Sequence, residues 1–440
     1  MAHLGMKPAY FSLQQRIDRM PIGAPPRREF FELLATLFSE EECRVAAAMP
    51  MIPSRAATVA RRAKMEEAAC QSILEALVPR GLVVDLPRPD GSVLYHLNPA
   101  VIGFFEFTMM RVRDDIDQKH AARLMYAYLH DDPSLGFFRM VAEADTFLAR
   151  PLVHEDALDA EVESKVLDYE KASAIIESAA SFGEGLCHCR HVKEHVGQPC
   201  RLPRDMCLSL GFGADYLVRA GIARRVDKAR ALEILAYARE HDMVQMADNV
   251  QHRPTFICNC CACCCEMLYG LRVLKDTRRL VTSNYVAAID LDRCNGCGRC
   301  EKKCPVQVID RVAAAASAAQ PGRKSVARVN ADLCLGCGVC HRHCPTGAIR
   351  LVPIGERVLT PKNAIEKMVL QALERGKLQH LIFDGPGLSH RALNLFFGAL
   401  LSLPPAKKIL ASRQLRSRFV RSLLSGFSRT GQAKSIPREL

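Results

Sequence analysis

The chain has 440 residues and a formal net charge of +12, with 49% apolar and 25% charged residues. These values exclude wholesale disorder and rod-like coiled coils, and the length accommodates roughly three domains. Trp is absent and aromatics are only 6%, so the core must rest on Leu, Ile, Val, Ala and Met.

Met1–Gly23 lacks the uninterrupted apolar run of a secretory signal. Arg27-Arg28 is followed by Glu29 and Glu32, which break any twin-arginine pattern. Arg28–Phe38 reads as a helix, and Ser39 with Glu42 forms a capping box for a second, ending near Met49. Helical patterns follow at Arg55–Arg62 and Met65–Val78. Leu82–Leu86 and Val93–Leu97 read as strands joined by a turn at Asp90-Gly91. Helices followed by a two-stranded wing are the order of a winged-helix domain, expected over 25–105. Its recognition-helix position carries Glu66, Glu67 and Glu75 with only Gln71 and Ser72 as base readers. Arg61, Arg62 and Lys64 are the phosphate contacts on offer. Protein docking is therefore favoured over DNA binding.

Helical periodicity continues over Phe104–Leu148, Leu158–Ser181 and Asp215–Asp242, predicting a helical region at 106–182 and a helical Cys-rich domain at 183–285. The end, 360–440, reads as helical and basic, with Pro404-Pro405 as a break. Arg416–Leu424 is basic and amphipathic, compatible with peripheral membrane contact or a partner groove. No apolar run reaches the ~18 residues of a membrane span. The expected class is α+β, predominantly helical and multidomain.

Twenty cysteines dominate the chemistry. In a chain of this size without a secretory signal they imply a reducing cytoplasm and metal or redox sites rather than disulfides. Cys294, Cys297, Cys300 and Cys304-Pro305 recur 40 residues later as Cys334, Cys337, Cys340 and Cys344-Pro345. Both runs are C-x2-C-x2-C-x3-C-P, in which the fourth cysteine ligates the other cluster. Cys294, Cys297, Cys300 and Cys344 are thus expected around one [4Fe–4S] cluster, and Cys334, Cys337, Cys340 and Cys304 around the second. Zinc ribbons pair two C-x2-C units and need neither the third in-line cysteine nor the proline. The segment Val286–Val352 resembles the 2[4Fe–4S] bacterial-type ferredoxins, with Val306–Ala327 as a longer connector; the module is bounded at 286–355.

Upstream lie Cys187, Cys189, Cys200 and Cys207, then Cys258, Cys260, Cys261, Cys263, Cys264 and Cys265. The first four are the expected ligands of a third iron–sulfur cluster, with zinc and a thiol redox site as alternatives. Spacing does not assign the second run. Arg190 is placed to donate hydrogen bonds to cluster sulfurs. His191-Val-Lys-Glu194-His195 matches the H-x-x-E-H metalloprotease pattern but sits among competing thiolates, so exposed helix positions, or contacts to the groups that hold a metal, are favoured for His191 and His195. Over Phe30–Leu424 the whole resembles the large multidomain 4Fe–4S dicluster-domain proteins, which implies electron transfer with a partner oxidoreductase. Two rival readings are a redox-sensing DNA-binding regulator and an oxidoreductase with chemistry at the upstream cysteines. No catalytic, nucleotide, flavin or haem motif is present in the sequence.

Overall fold

The computed structural model describes residues 7–402 apart from 143–144, 159–165, 275–282, 315–321, 356, 359 and 386. The basic tail from Lys407 and the amphipathic stretch Arg416–Leu424 lie outside the described residues. Mixed helix and strand is the observed class.

Five helices open the chain: Pro8–Asp18, Arg28–Leu37, Glu40–Ala48, Ala56–Ala63 and Glu67–Leu77. The Ser39 hydroxyl accepts from the Glu42 amide at 3.3 Å while the Glu42 carboxylate accepts from the Ser39 amide at 2.7 Å, the expected reciprocal cap. Strands β1 (Val83–Pro87) and β2 (Val93–Leu97) form the expected antiparallel hairpin. Phe30, Leu33, Leu34, Leu37 and Leu74 bury completely in a core shared with Phe104, Phe105 and Tyr128.

The stretch expected to be continuous helix from Phe104 is broken into Phe105–Met109, Gln118–His130 and Gly136–Ala142. Between Leu158 and Ser181 the described α-helix is only Ala172–Ser178. Asp215–Asp242 is likewise two helices, Gly211–Arg219 and Lys228–Glu240, parted at Gly221 by a short strand. The larger correction is the Cys-rich middle, which is built on an antiparallel six-stranded sheet of order β3-β7-β8-β5-β4-β6. Its strands are β3 (Ala149–Pro151), β4 (Phe182–Gly185), β5 (Cys207–Leu210), β6 (Arg224–Val226), β7 (Val244–Asp248) and β8 (Phe256–Cys260). Each has three to five residues, too few for a clear alternating pattern.

Strand pleat decides what the sheet presents. Leu208, Leu210 and Ile257 join the core under the helices Ala172–Ser178 and Lys228–Glu240. The alternate residues Cys207, Met246, Cys258 and Cys260 face the opposite side. Against that side sits the ferredoxin-like module. It pairs β9 (Tyr285–Ile289) with β12 (Ile349–Pro353), and β10 (Ile309–Ala313) with β11 (Ser325–Val329). The connector expected as a surface insertion therefore contributes a strand at each end.

The helices Ala364–Glu374 and Leu378–Ile382 then return to the front of the chain. Their tie is Asp384, whose carboxylate accepts from Arg16 at 2.5 and 3.0 Å, from Arg62 at 3.0 Å and from the Met51 amide at 2.9 Å. Arg62, a phosphate contact in the DNA-binding reading, is consumed by this pair. Burial pushes the Asp384 carboxyl up, but the hydrogen bonds and charges of Arg16 and Arg62 outweigh it and hold it below the ordinary value. Asp384→Ala should strand a guanidinium, Arg16, that is 4% exposed, and cost about 3 kcal/mol in a denaturant melt of the front region. A depressed folded pKa means that the native contact is fully stabilising above pH ~3.9 and is lost as pH falls through the folded value. The acid limb of the wild-type melt should therefore flatten in this variant. An unchanged acid limb would contradict the assignment.

Candidate metal and iron–sulfur sites

The 40-residue repeat folds as two copies of one loop. In each, the third cysteine opens a short helix, Arg299–Lys303 or Val339–Arg342, behind a left-handed glycine, Gly298 or Gly338. Cys294, Cys297, Cys300 and Cys344 line one cavity of about 20 Å³. Cys304, Cys334, Cys337 and Cys340 line a second of about 20 Å³. Each cavity is thus lined by three cysteines of one repeat and the fourth cysteine of the other. Each fourth cysteine also accepts a backbone N–H at its sulfur, Cys304 from Val308 at 3.4 Å and Cys344 from Ala348 at 3.1 Å. Burial pushes the Cys337 thiol up to about 12 and Cys340 well above its usual value. At Cys344 burial acts in the same sense, but the Thr346 hydroxyl and the Ala348 amide outweigh it and lower the thiol. A donor set of four thiols about a small apolar cavity fits an iron–sulfur cubane.

The two loops differ in exposure. Cys297 is exposed, whereas Cys337 is buried against the six-stranded sheet domain, its carbonyl accepting from His154 N at 3.0 Å. Lys303 and His343 both bond Asp242, at 2.7 and 2.5 Å. They clamp the module onto the sheet domain. Arg342 reaches Asp156 at 3.6 Å in the same seam.

The ten upstream cysteines divide differently from the expected quartet. Cys200 lies with the turn after β8, its sulfur 3.9 Å from Cys261 and 3.4 Å from Cys263, with Cys263 and Cys264 3.6 Å apart. These four form one group whose sulfurs all lie within 4.8 Å of one another. Cys187, Cys189 and Cys207 are elsewhere: Cys189 neighbours Cys187 and Cys265, and Cys207 neighbours Cys258. The sequence could not join Cys200 to residues 61 to 64 positions away, because only the sheet brings them together.

Arg190 lies between the two groups, 1% exposed. Its guanidinium donates to the carbonyls of Pro203 at 2.9 Å and Asn259 at 2.8 Å and faces Cys187, Cys261 and Cys200. Among the described residues no carboxylate pairs with it. The hydrogen bond from Cys264, together with the Arg190 charge and against burial, lowers the Cys261 thiol to about 4. In the H-x-x-E-H stretch, His191 is buried and donates from Nδ1 to the Met109 carbonyl at 2.7 Å. Its Nε2 is then an acceptor for His195 Nε2–H at 3.1 Å, and Glu194 pairs with Arg204 at 2.9 Å. Both ring nitrogens of His191 are spent on structure.

A Cβ at Gly336 would stand 2.0 Å from the Tyr285 carbonyl oxygen, and one at Gly296 would stand 2.1 Å from that of Ser325. Both glycines have φ near +70°. Gly336→Ala should therefore disrupt the Cys334–Cys340 loop and lower the chain's iron content by about 4 Fe, half of a two-cluster load. Gly91→Ala, with open space around it, is the control and should keep its iron.

Residues 293–348 match the family model described as a 4Fe-4S dicluster domain. No curated protein and no solved structure matches the chain. Over those residues the chain carries a ferredoxin-like iron–sulfur domain.

Proposed function

We propose that the protein is an iron–sulfur electron-transfer protein with two [4Fe–4S] clusters, one held by Cys294, Cys297, Cys300 and Cys344 and the other by Cys334, Cys337, Cys340 and Cys304. The observation that carries this reading is the pair of small cavities, each lined by one crossed quartet, inside the segment that matches the dicluster family model. Bound there, such clusters accept and release single electrons.

The protein's own part is to orient the two sites. The exposed Cys297 edge is the face for a redox partner protein, because it leaves the first quartet near solvent. The buried Cys337 edge points into the sheet domain. Arg272 joins that edge to the upstream cysteines by donating to the carbonyls of Pro305, beside Cys304, at 3.2 Å and of Ala262, inside the cysteine run, at 2.6 Å.

At Cys200, Cys261, Cys263 and Cys264 the spacing favours a single tetrahedral ion. Four thiolates at a metal–sulfur distance of about 2.3 Å stand about 3.8 Å apart, which fits separations of 3.4 to 3.9 Å. Zinc and a lone iron share this geometry, and metal analysis separates them.

The helices and hairpin of residues 25–105 support a winged-helix-like docking module. DNA recognition is disfavoured by the Arg62–Asp384 pair and by Glu66, which caps its own helix through the Ala69 amide. With twenty free cysteines, a reducing compartment such as the cytoplasm is the setting for this chemistry.

The test is iron and acid-labile sulfide on anaerobically purified full-length protein, with EPR after dithionite. Cys344→Ser and Cys297→Ser should perturb the same cluster signal, and Cys304→Ser should perturb the one altered by Cys337→Ser. Iron below about 8 per chain after reconstitution, or an uncrossed pairing of signals, would overturn the reading.

A further inference from the structure

Six cysteines remain once the ferredoxin-like quartets, the Cys200 group and the front-core residues Cys43 and Cys70 are set aside. They are Cys187, Cys189, Cys207, Cys258, Cys260 and Cys265. They come from four separate places in the chain: the turn into the helix His188–His195, strand β5, strand β8 and the turn before the helix Glu266–Leu274. The sheet pleat turns Cys207, Cys258 and Cys260 to one side. Cys187, Cys189 and Cys265 close over them, with Cys189 beside Cys265 and Cys265 beside Cys260. All six, together with Cys261 of the neighbouring group, line one cavity of about 310 Å³, far larger than either ferredoxin-like cavity.

Packing filler is a poor account of this arrangement. Core filler packs without voids, whereas these thiols surround a volume at the scale of a ligand pocket. Arg190 points its buried charge at Cys187 as well as at the Cys200 group, and a guanidinium without a carboxylate requires anionic neighbours. The six sulfurs do not form a group as tight as Cys200, Cys261, Cys263 and Cys264, and neither do the ferredoxin-like quartets. The wider spacing suits a cluster rather than a single ion.

Much of the remaining cavity wall is apolar, with Phe105, Phe137, Phe138, Leu217, Met246 and Phe256. Three buried polar atoms on it have no hydrogen-bond partner among the described residues: His188 Nδ1, Asn259 Oδ1 and Glu266 Oε1. Glu106 is on the same wall, one carboxylate oxygen accepting from the Gly103 amide at 3.0 Å. Unpaired buried polar groups are rare in native proteins and mark places where a bound molecule completes the hydrogen bonding.

We propose that four of these six cysteines hold an iron–sulfur centre of their own, distinct from the Cys200 group, and that the cavity brings a small, uncharged, mainly apolar organic molecule against it. The inference rests on the electron-transfer reading above only for the source of electrons. The cysteine arrangement stands without it.

The experiment uses the full-length protein, reconstituted anaerobically, and compares two double variants. C189S/C265S should lose about 4 Fe per chain and keep both the ferredoxin-type EPR signals and the single ion. C261S/C263S should lose the single ion and keep the iron of the six-thiol centre. If C189S/C265S does not fold, C187S/C258S and the total iron of the wild type decide instead. About 12 Fe supports the centre, and about 8 Fe in an otherwise normal protein overturns it. Loss of the ferredoxin signals in the wild type would instead count against the electron-transfer reading, so the two failures are separable. For the cavity, 2-naphthol is the probe. It should shift the EPR signal of the six-thiol centre in the wild type and leave it unchanged in Val101→Phe and Met246→Phe, which fill the cavity from two sides. No shift in the wild type at the solubility limit of the probe, or an equal shift in both filled variants, would overturn the ligand assignment.

Discussion

Arg190 is a cation enclosed between two sets of thiols, and the middle of the molecule is organised around that constraint. A buried guanidinium needs negative partners, and buried thiols resist becoming negative unless a cation or metal is close. Each side answers the other. The guanidinium spends two hydrogen bonds on the carbonyls of Pro203 and Asn259, which fixes its plane. Its remaining field falls on Cys187 to one side and on Cys200 and Cys261 to the other. Asn259 belongs to β8, whose flanking residues Cys258 and Cys260 face the cavity, so one strand sets the height of both thiol sets at once. Loss of the charge would remove the cation from both thiol sets together.

The ferredoxin-like module was the most legible part of the chain. Its four cysteines lie within eleven residues of one another in each repeat, the glycines sit where a strand carbonyl forbids a Cβ, and the fourth cysteine precedes a proline. Local spacing carries that information without any knowledge of the fold. The capping box at Ser39 and the β1–β2 hairpin were legible for the same reason. The upstream sites were not. Strands such as Phe182–Gly185 and Arg224–Val226 are too short, and too rich in glycine or arginine, to show a period of two. Without the sheet there was no means of seeing that Cys200 crosses to the 261–264 turn, or that Cys207 lies against Cys258. The sequence places Arg190 beside Cys189, but its bridging place depends on β8, whose Asn259 carbonyl accepts from its guanidinium.

Lys303 and His343 converge on Asp242, which sits in the left-handed region at φ +60° just past the helix Lys228–Glu240. Aspartate tolerates that conformation better than most side chains, and there its carboxylate meets both cations. The module is thus pinned by a polar clamp at its edge and by apolar contact in the centre, where Val339 and Leu335 bury in the same core as Val244 and Met246.

This docking gives the molecule a direction. Of the eight cysteines in the two pseudo-equivalent quartets, Cys297 is the one fully exposed, with Cys304 and Cys344 half-buried. The corresponding Cys337 is covered by the segment around His154, whose amide bonds the Cys337 carbonyl. Covering one end and leaving the other open breaks the symmetry of the repeat, since burial and hydrogen bonding at the sulfurs are what set cluster potential. Arg272 then ties the Cys304–Pro305 corner to the loop that carries Cys261, Cys263 and Cys264. Cysteine-rich loops therefore follow one another from the exposed edge of the ferredoxin-like module into the sheet domain. The sequence repeat supplies two similar quartets, and the unequal packing of their surroundings leaves one beside solvent and sets the other against the sheet domain.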